Sequence, residues 1–232
     1  MKHRFFVPDS IEIGATIALG AEERHHARVL RVGEGEEVEL FDSGGNNFVA
    51  QFASGEVQVL ARAADREPLT TIHLAMSIIQ LDKFEFVLQK GTELGVQTFL
   101  PLITDRMELR IERARGKEDR WKKIVLQAVK QSGRSRIPPI EPPIRFDEAI
   151  KREGSRIVFD ADVEPTATEQ PSNPATIFIG PEGGFSEREL QLAREAGAAF
   201  QRLGPRRLRA ETAAIAAVTL STLGCAQRTT GG

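Results

Sequence analysis

From Thr71 onward the chain alternates short apolar runs with segments of helical period, and this alternation constrains the fold more than any other feature. "TIHLAMSII" (Thr71–Ile79), "TFLPLI" (Thr98–Ile103), "RIVFD" (Arg156–Asp160), "TIFIG" (Thr176–Gly180) and "AFQRLG" (Ala199–Gly204) read as strands. "RIVFD" and "TIFIG" are of the uninterrupted apolar kind that a parallel sheet buries on both faces. Between the strands, Lys83–Gly95 carries Phe84, Val87, Leu88 and Leu94 at helical spacing, and Glu118–Ser132 gathers Trp121, Ile124, Val125 and Ala128 on one face. Ser186 and Glu189 form a capping-box pattern at the head of a helix that Gly197 stops. Glu211–Gly224 is apolar nearly all round, so it is buried or packs against a second copy of the chain. Strand and helix in alternation specify an α/β domain with a largely parallel sheet.

The stretch before it has a different rhythm. His3–Val7, Glu36–Asp42, Asn46–Ala53 and Glu56–Arg62 read as strands, with Val38 and Leu40 alternating against Glu37 and Glu39. "DSGGNN" (Asp42–Asn47) has hairpin-turn chemistry, and Glu22–Arg31 can form one short helix. Several short strands around a small core suggest a compact barrel. "DREPLT" (Asp65–Thr70) reads as the linker, which divides the chain into residues 1–67 and 68–232.

Ligands of open α/β sheets bind beyond the carboxyl ends of the strands. Two glycine-bearing loops fall there, "GPEGGFS" (Gly180–Ser186) and "LGPRRLRAETA" (Leu203–Ala213), each leading into a helix. A plain turn needs one glycine, so Gly180, Gly183 and Gly184 together point to a close approach of backbone to a ligand or to other chain. Neither loop fits G-x-G-x-x-G or G-x-x-x-x-G-K-[ST], which argues against a standard dinucleotide or P-loop site. His25 and His26 are adjacent and diverge, His3 and His73 stand alone, and Cys225 ends an apolar helix as a small core residue, so no metal site is expected. G-x-S-x-G is missing, which removes the usual serine-nucleophile arrangement.

The formal net charge is only −2, but the signs are segregated. Arg106 to Arg136 holds 11 Lys and Arg against 4 acids, and Arg188 to Arg209 holds 6 arginines against Glu189 and Glu195. Such segments are either solvated faces or, because the planar guanidinium suits phosphate, contacts to a polyanion such as RNA. Lys2, Arg4, Arg28, Arg31, Arg106, Arg110, Arg134 and Arg136 are the candidate phosphate contacts. No run of about 18 apolar residues occurs, so no membrane span is expected. Met1–Gly14 lacks the apolar core of a signal peptide, and the single Cys225 suits a cytoplasmic location.

"FIGPEGGFSEREL" with "LGPRRLRAETA" resembles the paired signature of the SPOUT-class 16S rRNA uracil-N3 methyltransferases. "HRFFV", "HHARVLRVGEGEEVELFD", "LQKGTELGVQTFLPL" and "QSGRSRIPPI" resemble that family in order and spacing, so the likeness covers both domains. It implies a PUA-like RNA-binding barrel for residues 1–67. For residues 68–232 it implies a methyltransferase domain with a C-terminal trefoil knot, where bare backbone meets S-adenosylmethionine. It also implies a homodimer and, as substrate, 16S rRNA or the small ribosomal subunit. Carried over by motif, Gly180, Pro181, Glu182, Gly183 and Gly184 would line one side of the cofactor pocket, and Leu203, Gly204, Leu208 and Thr212 the other.

Arg209 and Glu211 would be the polar side chains nearest the reaction centre. Arg209 would stabilise the uracil anion, or else bind phosphate or pair with Glu211. Glu182 is a candidate proton acceptor. Without tyrosine, and with Trp121 on an apolar helix face, stacking of the target base would fall to a phenylalanine such as Phe185, or to arginine. The chain departs from the family pattern at Gln80, Lys130 and Arg207, where a lysine, an acid and an aliphatic residue are expected. Two functions of other kinds share these features. A non-catalytic RNA-binding assembly factor needs no small-molecule pocket, and a small-molecule enzyme would bind RNA weakly and with little salt dependence. A SPOUT methyltransferase of another base or ribose specificity is the third.

Overall fold

A computed structural model of the chain describes residues 3–109, 111–166 and 173–226, with side chains described as far as residue 222. Lys2, Arg110 and the side chain of Cys225 therefore lie outside the described residues. The chain divides into two compact units, Met1–Glu67 with Leu126–Ile137, and Pro68–Val125 with Pro138–Gly232.

The first unit is built on β1 (Arg4–Val7), β2 (Thr16–Ala18), β3 (Glu37–Asp42), β4 (Asn47–Ala53) and β5 (Glu56–Arg62), with helix α1 (Ala21–Leu30). The sheet order is β1-β3-β4-β5-β2; β1 runs parallel to β3 and the other pairs are antiparallel. The β3–β4 hairpin closes as its turn residues require. Asp42 accepts from the Asn46 N–H at 2.9 Å, and Gly45 takes φ +79°, which favours glycine. Phe5, Leu19, Val38, Leu40, Phe48 and Val57 form the core, all at 1% exposure or less. Strand β2 is not foreseen in the sequence because three residues are too few to show a period.

The second unit is an α/β layer. Its strands are β6 (Ile72–Ser77), β7 (Thr98–Ile103), β8 (Ile144–Arg145), β9 (Ser155–Phe159), β10 (Ala175–Ile179) and β11 (Ala199–Gln201). Its helices are α2 (Leu81–Glu93), α3 (Glu118–Ser132), whose second half belongs to the first unit, α4 (Phe146–Ala149), α5 (Glu187–Glu195) and α6 (Ala210–Ala226). The sheet order is β11-β9-β10-β6-β7-β8 and every pairing is parallel. All five residues of β10 are buried, as the apolar run "ATIFI" demands of a central strand.

Two registers position the site. Ile179 pairs with Phe159, and Gln201 pairs with the same Phe159. The carboxyl ends of β9, β10 and β11 are thus level and adjacent, and three loops leave the sheet side by side. After β11 the chain returns, and α6 packs against β6, β10 and α2. Among the described residues no helix is long and apolar enough to cross a membrane.

Candidate functional site

A cleft opens where those three strands end. Phe159, Asp160, Ala161 and Asp162 line it after β9; Ile179, Gly180, Pro181, Glu182 and Gly184 line it after β10. Leu203, Gly204, Arg206, Arg207 and Leu208 line it after β11, with Ala210 and Ala213 from the first turns of α6. The two glycine loops therefore line one cleft, although 18 residues separate Gly184 from Leu203 in the chain.

The β10 loop needs its glycines for distinct reasons. A Cβ on Gly180 would stand 3.2 Å from the backbone of both Gly184 and Phe185, so the loop folds back on itself only without one. Gly184 takes φ +68°, and a Cβ there would meet Asp160 Oδ2 at 3.3 Å. The Gly184 N–H closes the turn onto the Pro181 carbonyl at 2.9 Å. Replacing Gly184 with alanine strains the left-handed backbone by about 1–2 kcal/mol and pushes a methyl group at the Asp160 carboxylate. The expected result is a loss of ligand affinity on the order of tenfold, read by calorimetry, together with a lowered melting temperature.

A polar network fixes the far end of this loop. Ser186 caps α5 by accepting from the Glu189 N–H, while Glu189 accepts from the Ser186 N–H at 2.8 Å. Fully buried Glu189 also accepts from the Asp105 N–H at 2.9 Å. Asp105 in turn accepts from Arg188 and from Ser186 Oγ, and these donors, Arg188 foremost, pull its carboxyl down to about 2. Arg106 donates to the Gly183 carbonyl at 2.9 Å and braces the loop from the chain that follows β7.

Most of the residues expected at the cofactor pocket line the cleft: Gly180, Pro181, Glu182, Gly184, Leu203, Gly204 and Leu208. Gly183 and Thr212 are exposed beside it and are not among its walls. Arg209 and Glu211 also stand outside the wall. Arg209 is exposed at the head of α6, where its carbonyl accepts from the Ala213 N–H. Glu211 is half-buried, with Oε2 buried and unpartnered among the described residues, and no ion pair joins it to Arg209. Sequence reasoning missed Asp160, Asp162 and Arg206 as cleft residues. The first two follow an ordinary strand and carry no glycine signal; sheet order alone brings them to the site.

The candidate phosphate contacts separate into two groups. Arg28, Arg31, Arg106 and Arg136 are exposed. Arg4 and Arg134 are not surface cations, which corrects that expectation. Arg4 is 7% exposed, pairs with Glu39 at 3.0 Å and donates to the carbonyls of Val129 and Arg134. Arg134 is 2% exposed and grips Glu67 with two nitrogens. Phe185 is likewise core, packed on Phe146 at 5.0 Å between centroids, and offers no stacking face. Lys130 pairs with Glu23, both nearly buried, which gives this departure from the family pattern a local cause. Arg207 pairs with Asp162 across the cleft at 2.6 Å. Gln80 stands at the head of α2 and its side chain makes no capping hydrogen bond.

A family model described as an RNA methyltransferase domain matches residues 65–222. The chain belongs to that family. A second family model, an RNA methyltransferase PUA domain, matches residues 19–60 in the first unit. Among solved structures, a ribosomal RNA small subunit methyltransferase E from Neisseria gonorrhoeae, bound to S-adenosyl methionine, is 34% identical with a TM-score of 0.88, over 96% of this chain and 98% of that one. Proteins named ribosomal RNA small subunit methyltransferase E from Aquifex aeolicus and Bacillus subtilis are 31% and 28% identical. They align over 89% and 93% of this chain, and over 94% of each relative. The SPOUT-type parallel sheet preceded by a PUA-type unit is the architecture the sequence led one to expect.

Proposed function

We propose that this methyltransferase transfers a methyl group from S-adenosylmethionine to N3 of a uridine in 16S ribosomal RNA. The observation that carries the reading is the meeting of "GPEGG" and "LGPRRL" in one cleft at the level ends of β9, β10 and β11. The residues present suit this donor. Ile179, Leu203, Leu208, Ala210 and Ala213 offer apolar walls to an adenine, and the glycine loops offer backbone N–H groups free of side chains. Asp160 supplies a negative group for a ligand carrying positive charge.

The donor supplies an already activated sulfonium methyl, so the chemistry requires no metal. The protein's own task is to hold the uracil in line and to stabilise the base once N3 has lost its proton. Alignment contributes up to roughly 7–11 kcal/mol in ideal cases. Arg209, exposed between the cleft residues Leu208 and Ala210, is the cation suited to the uracil oxygens. Glu182, a cleft residue 3.4 Å from Lys83, is the carboxylate in reach as proton acceptor.

The same reading includes RNA phosphates on exposed Arg28, Arg31, Arg106 and Arg136, and a cytoplasmic location beside that RNA. It includes a homodimer, supported by Leu220 of α6 and Phe86 of α2, which are 59% and 45% exposed on helices that touch one another. It includes a knotted C-terminus, supported by the return of α6 from the edge strand β11 to the middle strands β6 and β10. The test is methylation of small-subunit RNA lacking the modification, with the product nucleosides identified by mass spectrometry.

A further inference from the structure

Among the described residues three carboxylates line the cleft, and two of them are neutralised: Asp162 by Arg207 and Glu182 by Lys83. Asp160 is the third. Its Oδ1 accepts from the Asp162 N–H at 2.9 Å, which fixes the turn after β9. Its Oδ2 stands 3.3 Å from the Cβ position of Gly184, so this oxygen borders the glycine loop. Among the described residues Asp160 has no cationic partner. On the opposite wall Arg206 is exposed and unpaired among the described residues.

A partly buried carboxylate left without a cation carries a desolvation cost that a positively charged ligand would offset. We infer that Asp160 is the charge-sensing residue of the cleft: it distinguishes the sulfonium form of the methyl donor from its demethylated thioether product. The inference rests on the reading of the cleft as the methyl-donor site. The N3 proton passes first to the acceptor, Glu182; the bond from methyl carbon to sulfur then breaks, the electron pair stays on sulfur, and the carbon bonds to the N3 lone pair. The sulfonium becomes neutral, and the attraction of Asp160 for it ends in the same step. Asp160 thereby favours capture of the charged donor over retention of the spent one, which limits product inhibition. Arg206 complements it as a cation for the donor's carboxylate.

Calorimetric titration of the full chain with S-adenosylmethionine and, separately, with S-adenosylhomocysteine tests this. Asp160→Asn removes the charge and retains the Oδ1 acceptor for the Asp162 N–H, so the turn survives. The expected result is that the variant loses about three- to fivefold in affinity for the sulfonium ligand, while its affinity for the thioether is unchanged, so the ratio of the two narrows. An unchanged ratio, or equal weakening of both ligands, contradicts the proposal and leaves the methyl-donor reading standing. Failure of the wild-type chain to bind either ligand contradicts that reading and this proposal with it.

Discussion

Replacing Arg209 with alanine is expected to lower methyl transfer about 10²- to 10³-fold, the usual loss when one positioned donor to a developing anion is removed. The affinity for S-adenosylmethionine is expected to stay within about threefold of wild type, because Arg209 is not one of the cleft's walls while its neighbours Leu208 and Ala210 are. The side chain is exposed and has no ion pair among the described residues, so its removal leaves no partner stranded and the fold intact. Arg209→Lys restores a charge without the planar fork and should recover only part of the rate. Single-turnover rates at saturating donor, set beside calorimetric affinities, separate the alternatives. Lost donor affinity with a normal rate at saturation would move Arg209 from the uracil to the cofactor.

Glu67→Ala is expected to be the most destabilising single change outside the apolar core. The Glu67 carboxylate, 5% exposed, accepts from Arg134 Nη2 at 2.7 Å and Nε at 3.1 Å, and from the N–H groups of Ser135 and Arg136 at 3.0 and 2.9 Å. Alanine would take the Glu67 carboxylate away from a guanidinium that is 2% exposed. Stranding one member of a buried pair costs about 3–5 kcal/mol, a large share of the 5–15 kcal/mol typical of a whole protein. Urea denaturation reads the loss directly, and a double-mutant cycle with Arg134→Ala isolates the pair from the backbone contacts. A loss below about 1 kcal/mol would mean that water replaces the carboxylate at no cost.

Glu67 also shows where sequence reading stops. It lies in "DREPLT", which composition marks as a linker, yet its carboxylate organises a segment 67 residues further on. Arg4 and Arg134 look like surface cations because a charge count does not reveal that Glu39 and Glu67 come to meet them. What a local rule governs was legible. The bounds of β7 and α3 follow from apolar spacing, and the capping box at Ser186 and Glu189 follows from three-residue periodicity. The glycine loops were legible as tight backbone turns because positive φ and close backbone approach demand glycine, and they do line one cleft. Asp160 was not, because its place in the cleft depends on β9 lying between β10 and β11, a consequence of long-range pairing. Phe185, next to a glycine loop, resembles a stacking platform in sequence, but packing with Phe146 and Phe178 takes it into the core.

The atom that receives the methyl group decides the assignment. Small-subunit ribosomal RNA lacking the modification, incubated with the chain and S-adenosylmethionine, then digested to nucleosides and separated by mass spectrometry, reports that atom directly. One new product, 3-methyluridine, is expected in amounts that approach one per RNA, formed about 10²- to 10³-fold more slowly by Arg209→Ala. A methylated ribose or guanine, or no product despite tight donor binding, would contradict the assignment.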